Sequence, residues 1–510
     1  MGSSQPHHDY IVMLPFMAHG HLIPFLALAK QIHQRTGFTL IIATTKRNVH
    51  YLRRSSSDSD IHFAELPFSS SDHGLPPDTE TTENLPLSRV VDLFNASRSL
   101  EAPCRNFILE SIGKHGRPPL CLVSDVFLGW AVDVARSFDT INVTFTTGGA
   151  YGSAAYASVW QNLPHRKTES DEFEAPGFPK RCRFHRTQLH LYLRAADGSD
   201  PWSRFFQPQI SLSLKSHSWL CYTVEEIEPL GLEILRGLIK RPVWCVGPLL
   251  PPAALNDSSF SPSSSFSSIS KQRVSKELGI SAEKLFEWLD SQEPQSVLYI
   301  SFGSQNTIGA ARMMELAIGL EKSEKPFVWV IRPPFGFDLR GEFRPEWLPE
   351  GFEERAKAKN RGLLVRNWAP QLDILAHRSV GGFLSHCGWN SVMESLSQGV
   401  PIIGWPLAAE QAYNSKMLAE EKGVSVELTR GAQGAVVGDQ VKQVIELVMD
   451  RDGEGGEMKK RANEVKLQIR AAMKEEGEHK GSALKAMDDF VASILSHREE
   501  KIPKIERTSA

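Results

Sequence analysis

A strand, a turn, a helix and a second strand follow one another near the N-terminus, and this pattern constrains the fold more than any other feature. The apolar run Tyr10–Phe16 predicts a buried strand, Leu22–Gln34 predicts a helix, and Thr39–Thr44 predicts another buried strand. Two buried strands joined by one helix form a βαβ unit, whose strands are parallel and whose crossover is right-handed. The pattern therefore predicts an open α/β sheet that helices cover on both faces.

The same pattern starts again in the second half of the chain, after a serine-rich stretch. Nine of the thirteen residues from 258 to 270 are serine, a composition typical of a linker because it cannot bury enough apolar surface to fold. Beyond it, Ser296–Ser301 predicts a strand and Ala311–Leu320 predicts a helix. We therefore predict two open α/β domains, residues 1–248 and 284–480, a Ser/Pro-rich linker at 249–283 between them, and a C-terminal helix within residues 481–510.

Charge, hydropathy and cysteine spacing exclude several classes of protein. The 510 residues include 57 Lys and Arg and 60 Asp and Glu, so the chain lacks the basic excess of a nucleic-acid-binding protein. No apolar run reaches the roughly 18–20 residues of a membrane-spanning helix, and the N-terminus lacks the order of a secretory signal. The six cysteines form no Cys-x-x-Cys pair and no metal-ligand spacing. We expect a monomeric cytoplasmic protein with no metal ion, no nucleic-acid partner and no integral membrane segment.

His21 is the first candidate catalytic residue. It follows the first predicted strand, at the edge where open α/β sheets place the groups that bind ligands. A neutral imidazole there can take a proton from a substrate hydroxyl. A histidine that only satisfies backbone groups of the turn is the alternative, and His19 is a competing candidate. Gly20, between the two histidines, would allow a ligand to approach the backbone closely.

Asp125 is the second candidate, and it follows the strand predicted at Leu120–Ser124. A carboxylate at this end of a strand can orient a histidine and stabilise its protonated form. An N-cap on the following helix is an equally good interpretation of the same residue.

A third candidate site lies in residues 368–411, where polar and aromatic residues are dense. Gly381–Ser385 predicts a strand, and a glycine-containing turn leads from it to a helix predicted from Val392. The start of such a helix presents free N–H groups and a positive dipole end to a pyrophosphate. His386 and Ser391 could add hydrogen bonds to the phosphate oxygens.

Other residues of this window fit the remaining parts of a nucleotide. Glu394 could accept a hydrogen bond from a ribose hydroxyl, and Trp368 could stack on a base, although core packing is the ordinary role of a tryptophan. The His386–Cys387 pair suggests zinc, but no second pair has zinc-finger spacing, so a metal site is not expected.

These motifs together resemble those of the plant family 1 UDP-glycosyltransferases. The 44 residues from Trp368 to Gln411 contain HCGWNS, end in GWPLAAEQ, and resemble the family's signature in length and content. PFMAHGHLIP around His21 and LVSDVFLGWA around Asp125 resemble its N-terminal histidine and aspartate motifs. VGP before the serine-rich stretch and YISFGSQ after it also resemble the family. The resemblance therefore covers the whole chain.

The resemblance implies a GT-B fold, in which two Rossmann-like domains face each other across a cleft and the last helix returns to the first domain. The N-terminal domain would bind an acceptor and the C-terminal domain a UDP-sugar, which would be transferred with inversion and without a metal ion or cofactor. A terminal Gln, here Gln411, goes with glucose donors, and Trp389 in place of Arg is against glucuronic acid. Most relatives have Asp where this chain has Glu410.

The resemblance also implies roles for individual residues. His21 would be the base and Asp125 its partner. The residues implied to contact the UDP-sugar are Trp368, Ala369, Gln371 and Glu394 for the nucleoside, Ser304, His386, Gly388, Asn390 and Ser391 for the phosphates, Trp389, Glu410 and Gln411 for the sugar, and Gly20 and Thr146 from the N-terminal domain.

The acceptor is left open by the sequence. Phe16, Phe127 and the aromatic residues between 151 and 202 are candidates for its pocket, and ordinary core packing explains each of them equally well. A flavonoid or another phenolic is our first expectation and a triterpenoid or another terpenoid aglycone is the second.

Two functions of other classes compete with glycosyl transfer. A nucleotide-sugar-binding protein without turnover would keep the window 368–411 but would not need His21 and Asp125. A dinucleotide-dependent oxidoreductase would carry GxGxxG after its first strand, where this chain has MAHGH.

Overall fold

Two parallel β-sheets organise the computed structural model of the chain. The structure describes residues 9–56, 60–83, 85–255, 279–338, 341–477 and 479–501. The serine-rich stretch, and with it most of the predicted linker, lies outside the described residues.

The first sheet has seven strands in the order β3-β2-β1-β4-β5-β8-β9, and each neighbouring pair is parallel. The strands β1, β4, β5 and β8 are buried along their whole length because helices cover both faces of the sheet. β6 and β7 form a separate antiparallel hairpin. The bounds are β1 Tyr10–Leu14, β2 Thr39–Thr44, β3 Ile61–Glu65, β4 Cys121–Asp125, β5 Ile141–Thr146, β6 Glu172–Glu174, β7 Arg183–His185, β8 Ser218–Cys221 and β9 Val243–Cys245.

Nine α-helices belong to the part of the N-terminal half that the structure describes. They are α1 His19–Thr36, α2 Lys46–Ser55, α3 Leu87–Ser97, α4 Glu101–His115, α5 Ala131–Ser137, α6 Ala150–Asn162, α7 Leu191–Ala195, α8 Pro201–Ser213 and α9 Pro229–Ile239. Single 3₁₀ turns occupy Ser71–His73, Arg98–Leu100, Pro164–Arg166, Arg186–Gln188, Glu225–Ile227 and Pro252–Ala254.

The first strand and helix differ from the prediction at the turn between them. β1 ends at Leu14, two residues early, because Pro15 has no N–H to donate to a sheet. α1 begins at His19 and not at Leu22, so His21 lies in its first turn and Pro24 lies inside the helix. The backbone of Ala18 is extended, as is usual for an N-cap residue, so the helix starts at the next residue. The sequence did not predict this start, because glycine and proline are unusual inside a helix.

The second sheet has six strands in the order β12-β11-β10-β13-β14-β15, again all parallel. Counted from its own first strand this is the order 3-2-1-4-5-6 of the Rossmann fold, so the predicted pair of Rossmann-like α/β domains is confirmed. The strands are β10 Val297–Ser301, β11 Phe327–Ile331, β12 Gly362–Arg366, β13 Val380–Ser385, β14 Ile402–Gly404 and β15 Ser425–Glu427. The helices around them are α10 Ala282–Asp290, α11 Ala310–Ser323, α12 Phe352–Ala358, α13 Gln371–Ala376, α14 Trp389–Ser397, α15 Gln411–Glu420, α16 Gly438–Met449 and α17 Glu454–Ala472, with a 3₁₀ turn at Pro345–Trp347.

The chain then forms a short hairpin and a last helix that packs on the first sheet. The hairpin consists of β16 Glu475–Glu476 and β17 His479–Lys480, and the helix α18 spans Ser482–Lys501. Phe490 of α18 is fully buried and its ring lies 5.9 Å from that of Trp244 in β9. Arg498 donates to Asp9 at 2.6 Å, beside the first strand. α18 therefore covers the β9 edge of the N-terminal sheet.

Candidate active site

A cleft of about 1280 Å³ lies between the two domains. The strand order of each sheet reverses beside its first strand, between β1 and β4 and between β10 and β13, and open α/β sheets bind ligands at such points. The cleft lies at both reversal points. Its walls include all but one of the predicted site residues: Phe16, Gly20, His21, Phe127, Thr146, Ser304, Trp368, Ala369, Gln371, His386, Gly388, Trp389, Asn390, Ser391, Glu394, Glu410 and Gln411.

The exception, Asp125, lies directly behind His21. Its Oδ2 atom accepts a hydrogen bond from Nδ1 of His21 at 2.6 Å, and its Oδ1 atom accepts one from the backbone N–H of Phe127 at 3.0 Å. Because the carboxylate is completely buried, this contact fixes the proton of His21 on Nδ1 and leaves Nε2 as the proton acceptor. The interpretation of Asp125 as a helix N-cap is wrong, since the next helix begins at Ala131 and Trp130 occupies its N-cap position.

Two opposing effects act on the pKa of His21. Burial alone would lower the pKa, but the charge of Asp125, the hydrogen bond to it and the charge of Glu410 together raise it above the ordinary value. Glu410 belongs to the C-terminal domain and lines the same cleft as His21. His19, the competing histidine, instead stacks on Tyr51 with ring centroids 4.0 Å apart, and its Nδ1 atom lies 3.7 Å from a carboxylate oxygen of Glu83.

The loops of the C-terminal domain share one backbone feature. A residue with positive φ follows β10, β12, β13 and β14, and it is Gly303, Asn367, Cys387 and Ala409 respectively. Each of these turns leads directly to residues predicted to contact the donor. Asparagine adopts this conformation readily, but Cys387 and Ala409 each cost about 1–3 kcal/mol there, so two of the four loops store strain where the ligand is expected.

The turn after β13 forms the start of α14. Gly388 is the N-cap of this helix, whose first N–H groups are therefore open to an anion. The helix begins at Trp389, three residues before the predicted start. A Cβ atom added to Gly303 or Gly388 would lie 2.6 or 2.5 Å from Nε2 of His386, so both glycines are needed for the ring to fit.

His386 is a neutral side chain in this position. Burial, and then the charge of Arg332, lower its pKa to about 4. Its Nδ1 atom is buried without a hydrogen-bond partner among the described residues. The imidazole can therefore offer a hydrogen bond to a bound group without carrying a charge.

Three of the predicted nucleotide contacts form one hydrogen-bond network. The Nε2 atom of Gln371 donates to Oγ of Ser391 at 2.9 Å and to Oε2 of Glu394 at 2.7 Å. The hydroxyl of Tyr299 donates to Oε1 of Gln371 at 3.4 Å. This network fixes the carboxylate of Glu394 at the cleft wall, where Trp368 and Ala369 also lie.

The sugar end of the predicted donor site contains Glu410 and Gln411. Oε1 of Gln411 accepts from the backbone N–H groups of Leu407 and Ala408 at 3.0 and 2.9 Å. These bonds determine the orientation of the amide, so its NH₂ group remains to donate to a ligand. Oε1 of Glu410 accepts from Asn414 at 3.3 Å, and burial raises the pKa of Glu410.

Two predicted donor contacts use their side chains to join the domains. The buried indole of Trp389 donates to the carbonyl of Tyr222, and Nδ2 of Asn390 donates to the carbonyl of Gly20 at 3.1 Å. A Cβ atom on Gly20 itself would meet no protein atom within 4 Å, because this residue faces the open cleft. Thr146 also lines the cleft, and its hydroxyl bonds to Ser153 at 2.7 Å.

The acceptor side of the cleft is aromatic. The rings of Phe16 and Phe127 lie 5.6 and 5.5 Å from that of His21. They continue into a wall of rings that also contains Phe94, Tyr156, His190, Tyr192, Trp202 and Phe206.

Sequence reasoning missed Arg332, which follows β11 and lines the cleft. Its guanidinium donates to the carbonyls of Ser304 and Asn306, both at 2.6 Å, and to that of Gly303. Burial lowers its pKa to about 10, so it remains charged at neutral pH. It holds the loop after β10 and places one positive charge behind the expected phosphate site. Its position at the carboxyl end of a strand was the available signal.

Metal clusters and membrane spans are both absent from the part of the chain that the structure describes. Among these residues, no three His, Cys, Asp or Glu side chains come together as metal ligands. In the same described part of the chain, no helix combines the length and the apolar composition needed to cross a membrane.

Comparison with known proteins gives concordant results. The family described as "UDP-glucoronosyl and UDP-glucosyl transferase" matches residues 271–452. UDP-glycosyltransferase 92A1 of Arabidopsis thaliana is 41% identical over 98% of this chain and 100% of that protein. Crocetin glucosyltransferase 3 of Crocus sativus is 44% identical over 87% of this chain and 91% of that protein.

Solved structures show the same relationship. That of Glycyrrhiza uralensis UGT73P12 complexed with glycyrrhetinic acid 3-O-monoglucuronide is similar with a TM-score of 0.79 and 26% identity, over 97% of each chain. That of TcCGT1 in complex with UDP has a TM-score of 0.74 and 27% identity, over 96% of this chain and 100% of the other.

Proposed function

The chain belongs to the plant family 1 UDP-glycosyltransferases, and we propose that it transfers glucose from UDP-glucose to a hydroxyl of a small lipophilic plant metabolite, with inversion and without a metal ion. The observation that carries this proposal is the 2.6 Å hydrogen bond between His21 and the buried Asp125, opposite the open N-terminus of α14 in one cleft. A base and an anion site that face each other are what a hydroxyl and a UDP-sugar require.

His21 is the general base of the proposed reaction. Its Nε2 takes the proton of the acceptor hydroxyl while that oxygen forms a bond to the anomeric carbon. The bond from this carbon to the β-phosphate oxygen breaks on the opposite face, so the configuration inverts and UDP leaves. Asp125 stabilises the imidazolium that forms.

The leaving group is stabilised by fixed dipoles and one cation of the C-terminal domain. The N–H groups at the start of α14 and the neutral His386 donate to the phosphate oxygens. The guanidinium of Arg332 lies behind the same loop and adds a favourable charge. UDP is a good leaving group, so these interactions need no acid and no metal ion.

Glucose is the proposed sugar because of the orientation of Gln411. Its NH₂ group points away from the two backbone bonds and can donate to a sugar hydroxyl. The neighbouring Glu410 can accept from another hydroxyl, and its longer side chain replaces the Asp of most relatives. Trp389, used between the domains, offers no cation for the carboxylate of glucuronic acid.

A flavonoid or another phenolic is the proposed acceptor, because flat rings pack well against the aromatic wall beside His21. Relatives of this chain are named for flavonoid and scopoletin glucosyl transfer, at 32% identity each. A triterpenoid is the alternative, and one similar structure was solved with glycyrrhetinic acid 3-O-monoglucuronide.

A product screen tests the proposal. Purified protein is incubated with UDP-glucose, UDP-galactose or UDP-glucuronic acid, with phenolic or triterpenoid aglycones, and with or without EDTA, and products are read by mass spectrometry. We expect glucosides in both conditions. His21→Ala should abolish turnover while UDP still binds by calorimetry. Wild-type turnover in that variant, or loss of product with EDTA, would contradict the mechanism.

A further inference from the structure

His190 is a polar residue of the aromatic wall that the proposed reaction does not use. It lines the cleft just before the short helix α7, and its Nδ1 atom accepts a hydrogen bond from the backbone N–H of Leu193 at 3.4 Å. Its other nitrogen, Nε2, is buried and has no hydrogen-bond partner among the described residues. A buried polar atom without a partner is rare in proteins and calls for a physical explanation.

The protonation of the ring follows from these contacts. Burial lowers the pKa of His190 to about 4, so the ring is neutral at physiological pH. Because Nδ1 accepts a hydrogen bond, the single proton must reside on Nε2. On the aromatic side of the cleft, the ring of His190 therefore carries an N–H donor that no other described residue satisfies.

The aromatic neighbours hold this donor in place. The ring of His190 lies 6.4 Å from Tyr156, 6.0 Å from Trp160 and 6.2 Å from Trp202, measured between centroids. Tyr156 is in turn 6.2 Å from Phe127, which is 5.5 Å from His21. Three ring contacts thus connect the donor to the base along one aromatic wall.

We propose that Nε2–H of His190 donates a hydrogen bond to an oxygen of the acceptor, a carbonyl or hydroxyl remote from the hydroxyl that reacts. This inference rests on the proposed function and adds a second polar anchor to the acceptor site. It favours apolar scaffolds with a second oxygen over those with a single hydroxyl, because the latter leave the buried donor unpaired.

Matched pairs of ligands test the proposal. The probes are galangin and kaempferol, which differ by one hydroxyl on the B ring, and a triterpenoid pair that differs by one ring ketone. Binding to the UDP-loaded protein is measured by quenching of tryptophan fluorescence, so that no turnover is needed. In at least one pair, the wild type should bind the oxygen-rich member about three- to tenfold more tightly, the range for one neutral hydrogen bond.

Two variants separate recognition from structure. His190→Phe keeps a ring in the wall but removes the donor, and it should abolish the preference within the pair. His185→Phe is the control, because His185 also caps the turn that follows it but does not line the cleft. It should leave the preference unchanged.

The outcomes are distinct from those of the product screen. A preference that persists in His190→Phe, equal weakening of both members of the pair, or no preference in the wild type for any pair would overturn the role of His190. Failure of the wild type to transfer glucose would instead refute the proposed function, whatever the binding preference is.

Discussion

At the scale of single residues, charge states are set by contacts with the other domain or with remote strands. His21 and Asp125 are 104 positions apart, and yet their 2.6 Å contact determines which nitrogen of the imidazole accepts a proton. His386 is kept neutral by burial, whereas His21 has a raised pKa because a buried carboxylate outweighs the same effect. Two histidines of one cleft are thus suited to opposite tasks, a hydrogen-bond donor and a base.

The raised pKa of His21 predicts a shifted pH profile for Asp125→Asn. The base must be unprotonated, so kcat/KM rises as pH increases through the pKa of His21 in the folded protein. Removal of the carboxylate charge lowers that pKa, and the acidic limb of the profile should move to lower pH. The maximal rate should fall by about 10²–10⁴-fold, because the imidazolium loses its partner.

The measurement is kcat/KM between pH 5 and 9 with UDP-glucose and the best acceptor of the screen. An acidic limb that stays in place would show that Asp125 does not control the pKa of His21. Asp133→Asn is a suitable control, because Asp133 pairs with the exposed Arg136 at the protein surface.

The orientation of Gln411 predicts a change of donor preference in Gln411→His. An imidazole can accept only one backbone N–H in place of the two that Oε1 accepts, so the donor to the sugar hydroxyl moves. The ratio of kcat/KM for UDP-glucose to that for UDP-galactose should fall about tenfold, the equivalent of one hydrogen bond. An unchanged ratio from initial rates with both donors would remove Gln411 from sugar selection.

At the scale of elements, a hydrogen bond joins helices α1 and α14. Its acceptor is a backbone carbonyl of α1 that lacks its usual helical partner because of a proline. Pro24 has no N–H, so it cannot donate to the carbonyl of Gly20 four residues earlier in α1. Asn390 in the first turn of α14 donates to that carbonyl instead, at 3.1 Å. The helix that carries the proposed base His21 is thereby linked to the helix that starts at the proposed phosphate site.

This link predicts non-additive effects on stability. Asn390→Ala should reduce the free energy of unfolding by about 1–2 kcal/mol, because the carbonyl of Gly20 loses its partner. In a Pro24→Ala background the same change should cost less, since an alanine in place of the proline would supply an N–H within the helix. Denaturant unfolding of the four proteins measures the coupling.

Gln398 supplies the control for this comparison of single and double variants. Its amide donates to the carbonyl of Ala254 at 2.9 Å, and this carbonyl does not belong to α1. Gln398→Ala should therefore be additive with Pro24→Ala. Additivity of Asn390→Ala with Pro24→Ala would contradict the proposed link.

At the scale of the whole molecule, the last helix connects the end of the chain to the first sheet. α18 follows the C-terminal domain in sequence, but Phe490 and Ile494 are fully buried against the N-terminal domain. Arg35 of α1 forms a bidentate ion pair with Asp488, at 2.6 and 3.0 Å. The two domains are therefore held together at the cleft and also through this helix.

The packing of α18 predicts that Phe490→Ala destabilises the protein by about 3–5 kcal/mol, the cost of a large cavity in a buried site. Leu467→Ala in α17 is the control, because this leucine is 63% exposed and should change stability by less than about 0.5 kcal/mol. Thermal unfolding measures both. Affinity for UDP below the transition should not change, because Phe490 does not line the cleft.

The sequence alone determined the fold class, the cleft and most of its walls. Apolar runs such as Thr39–Thr44 are local signals, and a residue that follows a parallel strand must lie at the sheet edge where ligands bind. The window 368–411 could be interpreted as a donor site because its loops are contiguous in the chain. The edge strands β3 and β9 were not predicted, since each is short or partly exposed and lacks a clear apolar run.

Only the tertiary structure decided which atoms of these residues donate or accept hydrogen bonds, and which side chains are charged. Burial and partners distant in sequence determine the position of the proton on His21 and the neutrality of His386. They also determine the hydrogen bonds of Arg332 to the loop after β10 and the unpaired donor of His190. The existence of a strand is encoded locally by hydrophobic periodicity. A hydrogen bond between domains is not, because its energy depends on the position of both partners and on the exclusion of water around them.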